Sequence, residues 1–173
     1  MSTSAEVALR DGTRARLRAV AYADPVAQEL IGRVQQEYVQ RYGGPDGAVV
    51  SPEEFEPPHG VFLVAEVDGV PAACGAWRSL GDGSAEMKRV YVDPAFRRRG
   101  LAQVVVDAVE ADAARAGVRS LVLNTGPEQP EALALYAVLG YTPVRPFGIY
   151  ADEPRAVFLG KDLLPGEERS WAS

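Results

Sequence analysis

The sequence holds a single cysteine, Cys74, and a single histidine, His59. One cysteine rules out an intrachain disulfide and a cysteine-rich zinc site. It lies in an apolar stretch, where a buried small hydrophobe is a commoner role than a nucleophile. With the lone histidine beside Pro57-Pro58, neither a Ser-His-Asp nor a Cys-His arrangement has support. No apolar run approaches the roughly 20 residues needed to cross a bilayer, so no membrane partner is expected. Met1 to Glu6 has neither the basic start nor the apolar centre of a secretion signal, and a cytoplasmic location is expected. Positive charge is also scarce. Lys and Arg number 18 against 24 Asp and Glu, a net charge of −6, which opposes a broad nucleic-acid-binding face. Neither Gly-x-x-x-x-Gly-Lys-Ser/Thr nor Gly-x-Gly-x-x-Gly occurs, so phosphate binding of the Walker or dinucleotide type is excluded.

The balance that remains, 47% hydrophobic and 24% charged, is that of an ordinary globule rather than a disordered chain. At 173 residues it fits one domain, 1–173, with a core over about 13–163 and polar termini. The tail from Pro165 to Ser173 is expected to fray.

Thr13 to Val20 alternates polar and apolar residues, the period of a half-buried strand. Asp24-Pro25 supplies an N-cap and a proline at the first helical position, and Val26, Leu30, Val34 and Tyr38 follow at helical spacing until Gly43-Gly44. Ser51-Pro52-Glu53-Glu54 predicts a capping box within the acidic stretch Asp46 to Glu56. Val61 to Val67 and Val70 to Arg78 flank Asp68-Gly69, a two-residue hairpin signal. A strand from Ala85 to Val92 is followed by a helix from about Gly100 to Ala116, ended by Gly117. Val118 to Asn124 then reads as a buried strand parallel to Ala85–Val92, because a whole helix separates them. Pro130 starts the last helix, apolar on both faces and so expected to be covered on both. Tyr141 to Val144 and Ala156 to Lys161 close the chain as short strands.

The stretch from Ala85 to Ala102 organises the rest. Between its strand and its helix lies Arg97-Arg98-Arg99-Gly100-Leu101-Ala102. At a helix start the first backbone N–H groups lack partners and the peptide dipoles sum to partial positive charge. Gly100 and Ala102 are small enough to let a phosphate approach, and the three arginines add charge beside it.

Arg97-x-x-Gly100-x-Ala102 fills every defined position of the Arg/Gln-x-x-Gly-x-Gly/Ala signature of GNAT-type N-acetyltransferases. With the strand before it and the helix after it, the chain resembles that family from about Thr13 to Leu163. The resemblance implies an α/β fold, a mixed, mostly antiparallel sheet with a central splayed parallel strand pair and flanking helices. It implies acetyl-CoA as cosubstrate, with no metal, its pyrophosphate at Arg97, Arg98, Arg99, Gly100, Leu101 and Ala102. It also implies that the pantetheine arm pairs with backbone of Val90, Tyr91 and Val92 and is bonded by Asn124, a residue that otherwise simply ends a strand. Ala132-Leu133-Ala134-Leu135-Tyr136 followed by Gly140-Tyr141 is similar to the family segment whose tyrosine protonates the departing thiolate. Tyr136 would take that role; its alternative is an ordinary core aromatic.

Alkyl amines with a pKa near 10 are almost wholly protonated at neutral pH, so acetyl transfer to them needs a base. Glu86 is the candidate, directly or through water, with a carboxylate merely paired to Lys88 or an arginine as its alternative. Strand alternation puts Glu86, Lys88, Val90 and Val92 on one face unless a bulge intervenes. The expected activity is direct N-acetyl transfer to a small-molecule amine or amino-acid-like acceptor, with a homodimer left open. A catalytically silent acyl-CoA-binding module is the alternative. The acidic stretch Asp46 to Glu56 is either a solvated connector or part of the acceptor wall; there it would favour a cation, whereas Lys88, Arg89, Arg145 and Arg155 would favour a carboxylate or phosphonate.

Overall fold

The computed structural model describes residues 4–163; the tail expected to fray lies outside them. Eight strands form one sheet: β1 (Ser4–Ala8), β2 (Arg14–Ala19), β3 (Gly60–Val67), β4 (Val70–Ser79), β5 (Ser84–Val92), β6 (Ser120–Thr125), β7 (Thr142–Pro143) and β8 (Val157–Asp162). Their order is β1-β2-β3-β4-β5-β6-β8-β7, and only β5 and β6 pair parallel. The helices are α1 (Pro25–Tyr42), α2 (Leu101–Arg115) and α3 (Pro130–Val138). Among the described residues no helix is long and apolar enough to cross a membrane.

Local signals account for most boundaries. Asp24 caps α1 by accepting from the Val26 N–H at 2.9 Å, and Gly43 ends it at φ 80°. Asp68 and Gly69 both adopt positive φ, as a tight hairpin turn requires. Val118 and Gly117 donate to Ala113 and Ala114 carbonyls at 3.0 Å each, closing α2.

Helices cover both faces of the sheet. On one, Leu30 and Val34 of α1 pack with Phe62, Val64, Cys74 and Ala76. On the other, Val105 and Val109 of α2 pack with Trp77, Ala85 and Leu121. Trp77 Nε1 also donates to Asp112 at 2.8 Å, which pins α2 along the sheet.

Two features differ from the sequence expectation. β1 was not foreseen, because four of its five residues are exposed and show no apolar alternation. Its turn did carry a signal, Asp11-Gly12, with Gly12 at φ 85°. In α3 only Tyr136 is buried and Val138 is 82% exposed, so one apolar face stays open rather than covered.

Against β4, β5 carries one extra residue: Cys74 pairs Tyr91 while Ala76 pairs Lys88. That bulge places Arg89 at φ 61°. It also switches the faces. Ala85 and Met87 face α2, and so do Val90 and Val92, whereas Tyr91 joins the α1 side. Gly75 sits opposite the bulge, and a Cβ there would stand 2.5 Å from Val105 Cγ1 of α2. Gly75→Ala should therefore cost about 1–3 kcal/mol of stability by overpacking. Urea unfolding should show a lower midpoint at unchanged slope.

Candidate active site

β5 and β6 pair only at Ser84–Ser120, Ala85–Leu121 and Glu86–Val122. Beyond these, β5 stays with β4 and β6 stays with β8, so the two strands part. The Asp93 N–H donates to Ala72 on the β4 side at 2.8 Å. Backbone groups alternate along a strand, so the Val92 N–H points the other way, into the gap. A cavity of about 1020 Å³ follows that gap and is lined along it by Val90, Tyr91, Val92, Asn124 and Tyr136.

At one end the cavity meets the start of α2. Asp93 Oδ1 accepts from Ala95 at 2.9 Å and opens a single 3-10 turn, Pro94–Phe96. Arg98 at φ 67° and Gly100 at φ 84° then turn the chain into the helix. Buried Leu101 anchors that start in the core. Gly100, Leu101, Ala102 and Gln103 line the cavity where the first helical N–H groups have no partner within the helix. The arginines divide. Arg97 and Arg98 line the cavity, Arg97 held by the Val92 carbonyl at 3.1 Å and by Glu37 at 3.4 Å. Arg99 turns outward, onto the Phe96 ring at 5.4 Å and toward Asp11 at 3.4 Å. A residue from outside the motif, Arg10, lines the cavity as well.

Tyr136 projects from α3 against Tyr141, their rings edge-on at 5.4 Å. Burial raises its phenol pKa, and among the described residues no group hydrogen-bonds the hydroxyl. Tyr38, read from the sequence only as part of a helical stripe, also reaches the cavity. Its pKa is raised by burial first and then by Tyr136, and both tyrosines line the cavity.

The opposite end carries a charge cluster that the bulge creates, because it sets Lys88 and Arg89 on the same side. Asp46, from the loop after α1, accepts from Lys88 at 2.9 Å, Arg89 at 2.6 Å and Tyr150 at 3.0 Å. Burial alone would raise its pKa, but the Lys88 ammonium, the Ala48 N–H and Arg89 hold the carboxyl far below the usual range. Lys88 also reaches Glu86 Oε1 at 3.2 Å, and Arg78 approaches the same oxygen at 3.4 Å. Oε2 of Glu86 has no partner among the described residues, and Glu86 lines the cavity.

Of the acidic stretch, Asp46 alone lines the cavity; Glu54 instead pairs with Arg78 at 2.9 Å and accepts from the Ser51 N–H. With Asp46 neutralised by two cations, the stretch offers little to attract a cation. Arg155 lines the cavity paired with Glu128, and Arg145 lies exposed outside it. Cys74 is fully buried, donates to the Arg89 carbonyl at 3.1 Å, and has its thiol pKa pushed up to about 12 by burial. A thiolate nucleophile is unavailable there.

A family model described as "Acetyltransferase (GNAT) family" matches residues 28–141. An IAA acetyltransferase of Azospirillum brasilense is 35% identical over 103 residues, 59% of this chain and 67% of that protein. A provisionally named acyl-CoA N-acyltransferase from Klebsiella pneumoniae superposes with a TM-score of 0.73 at 30% identity, over 86% of this chain and 97% of the other. The fold alone is shared with a PaiA N-acetyltransferase from Thermoplasma acidophilum solved with coenzyme A, at a TM-score of 0.63 and 14% identity, over 86% and 98% of the two chains.

The Asp46 cluster makes a pH-dependent contribution to stability. A carboxyl whose pKa is lower folded than unfolded stabilises above its unfolded value, about 4, and loses that contribution as pH falls further. Asp46→Asn should flatten the fall in unfolding free energy below about pH 4. Near pH 7 it should destabilise by as much as about 3–5 kcal/mol, because buried Arg89 loses its counter-charge and Lys88 keeps only Glu86. Urea titrations on both proteins from pH 7 down to about pH 2 would read each effect, covering the upper part of a loss that begins near the unfolded value and continues toward the much lower folded one.

Proposed function

The chain belongs to the GNAT family of acetyltransferases, and on that premise we propose that it transfers an acetyl group from acetyl-CoA directly to the amine of a small-molecule or amino-acid-like acceptor. The observation that carries this reading is the strand gap that ends in the unpartnered N–H groups of α2. It offers a diphosphate site, an unpaired strand edge and a buried phenol along one cavity. That a protein of the same fold was solved with coenzyme A supports the choice of donor.

Acetyl-CoA supplies, when bound, an activated thioester and a thiol leaving group. The chain supplies the rest. Gly100, Leu101 and Ala102 offer backbone N–H groups to the diphosphate, with Arg97 and Arg98 as side-chain donors and Arg99 contributing through its backbone. Backbone of Val90, Tyr91 and Val92 takes the amides of the pantetheine arm as an added strand would, with Asn124 opposite. The Val92 N–H polarises the carbonyl oxygen.

Glu86 takes a proton from the acceptor's ammonium group at Oε2, directly or through water, and so frees the amine lone pair for attack, while Lys88 and Arg78 hold Oε1. Tyr136 donates to the sulfur as the carbon–sulfur bond breaks. Its raised pKa keeps the proton on the phenol throughout the working pH range. A phenol is already a weaker acid than a thiol of pKa about 8.5, and burial widens the difference. Its main contribution is therefore a hydrogen bond that steadies developing thiolate charge.

Thiol release from acetyl-CoA across a panel of amines tests the whole reading. Tyr136→Phe should lower kcat by about 10²–10³-fold while the acetyl-CoA KM stays nearly constant. Glu86→Gln should lose most activity at neutral pH and recover part of it toward pH 10, where the free amine no longer needs a base. Coenzyme binding without thiol release on any amine would instead mark a silent acyl-CoA-binding module.

A further inference from the structure

We propose that Arg10, at the turn of the β1–β2 hairpin, is a phosphate-binding residue of the coenzyme site. The proposal rests on the acetyl-CoA reading above and adds to the site a residue from outside the Arg97–Ala102 turn.

The hairpin is docked on that turn by its own bonds. Arg10 N–H donates to the Arg99 carbonyl at 3.3 Å, and Leu9 beside it is buried. Asp11 Oδ1 accepts from the Thr13 N–H at 3.0 Å and hydroxyl at 2.6 Å, which fixes the turn. Its other oxygen approaches Arg99 Nε at 3.4 Å. The Arg10 side chain consequently lies over Gly100. A Cβ on Gly100 would stand 3.2 Å from Arg10 Nε and 3.5 and 3.6 Å from its Cγ and Cδ. Gly100 is required by its φ of 84°, and the arginine lies close across the space a side chain would take.

Charge pairing points the same way. Arg97 is shared with Glu37, and Arg99 is spent on Asp11. Arg10 and Arg98 line the cavity, and among the described residues neither has a carboxylate partner. Two guanidinium groups stand beside the positive end of a helix, where like charges repel and, among the described residues, no carboxylate pairs with either. An anion of high charge density does. Coenzyme A offers two such sources, the diphosphate and the ribose 3′-phosphate, and both accept the charge-assisted bonds an arginine gives.

Calorimetry at low ionic strength with coenzyme A and with dephospho-coenzyme A, which lacks the 3′-phosphate, distinguishes them. Arg10→Gln is the test variant and Arg10→Lys the partial rescue. Arg14→Gln, on the same hairpin but paired with Glu6, is the control. Because Arg10 is exposed, its substitution should leave the melting temperature unchanged. It should weaken coenzyme A binding by about three- to tenfold, an effect that shrinks as salt rises. Equal weakening for both ligands supports the proposal with the diphosphate as partner. Weakening confined to coenzyme A, down to the wild-type affinity for the dephospho form, supports it with the 3′-phosphate. Wild-type affinities of Arg10→Gln for both ligands overturn it while leaving the donor assignment intact. Failure of the wild-type protein to bind either ligand overturns that assignment and this proposal with it.

Discussion

A β-strand whose neighbour departs is left with backbone N–H and C=O groups facing nothing, and each such group costs about 1–3 kcal/mol when it is shut away from both water and a partner. β5 meets this situation after Glu86, where β6 turns off with β8. The helix α2 between the two strands, whose face is locked by Val105, Val109 and the Trp77–Asp112 bond, keeps the parallel pair joined at its base. β8 holds β6 along its whole length, and β4 holds β5. The gap is therefore built by competition between strand pairings, and it leaves the open edge of β5 wet and ready for an extended ligand.

The bulge on β5 is the second half of the same arrangement. Without an extra residue, Glu86, Lys88, Val90 and Val92 would share a face, and Arg89 would lie among the apolar residues under α2. The extra residue turns Val90 and Val92 into the α2 core and brings Arg89 alongside Lys88, where one buried carboxylate answers both. Asp46 then draws the loop after α1 and, through Tyr150, the segment before β8 onto the same point. Three stretches far apart in the chain thus meet at a single carboxylate, and that carboxylate is kept ionised by what it holds.

Much of this was legible in the sequence, because the deciding signals are local. Asp24-Pro25, Asp68-Gly69, Gly117 and Pro130 each fix one boundary through backbone geometry that few residues supply. The cradle was legible because its spacing states it. The bulge was not: a strand's period-2 pattern shows faces only if the register holds, and Ala85 to Val92 reads plausibly in either register. Arg10 was missed because β1 has no buried stripe, although Asp11-Gly12 announced its turn. Arg99 was grouped with its neighbours by adjacency, but positive φ at Arg98 and Gly100 sends consecutive side chains in different directions. Tyr38 was hidden by its own periodicity, since a helix position facing the core and one facing a cavity differ only in what lies opposite.

The two ends of the cavity are charged by different rules, and the difference orients what binds there. At the acceptor end every cation is answered: Asp46 takes Lys88 and Arg89, and Arg78 lies between Glu54 and Glu86. At the cradle end Arg10 and Arg98, which have no carboxylate partner among the described residues, add charge to the partial charge of the α2 N-terminus. On the proposed reading, a donor with phosphates at one end and a neutral thioester at the other would be favoured in one direction, since reversal would place its phosphates beside Asp46 and Glu86. The chain is acidic as a whole, at a net −6, so this polarity comes from the placement of a few arginines and from no general positive field. On the proposed reading, an end whose cations are already answered would lose little when an amine arrives protonated and leaves as an amide, with the free oxygen of Glu86 taking the proton.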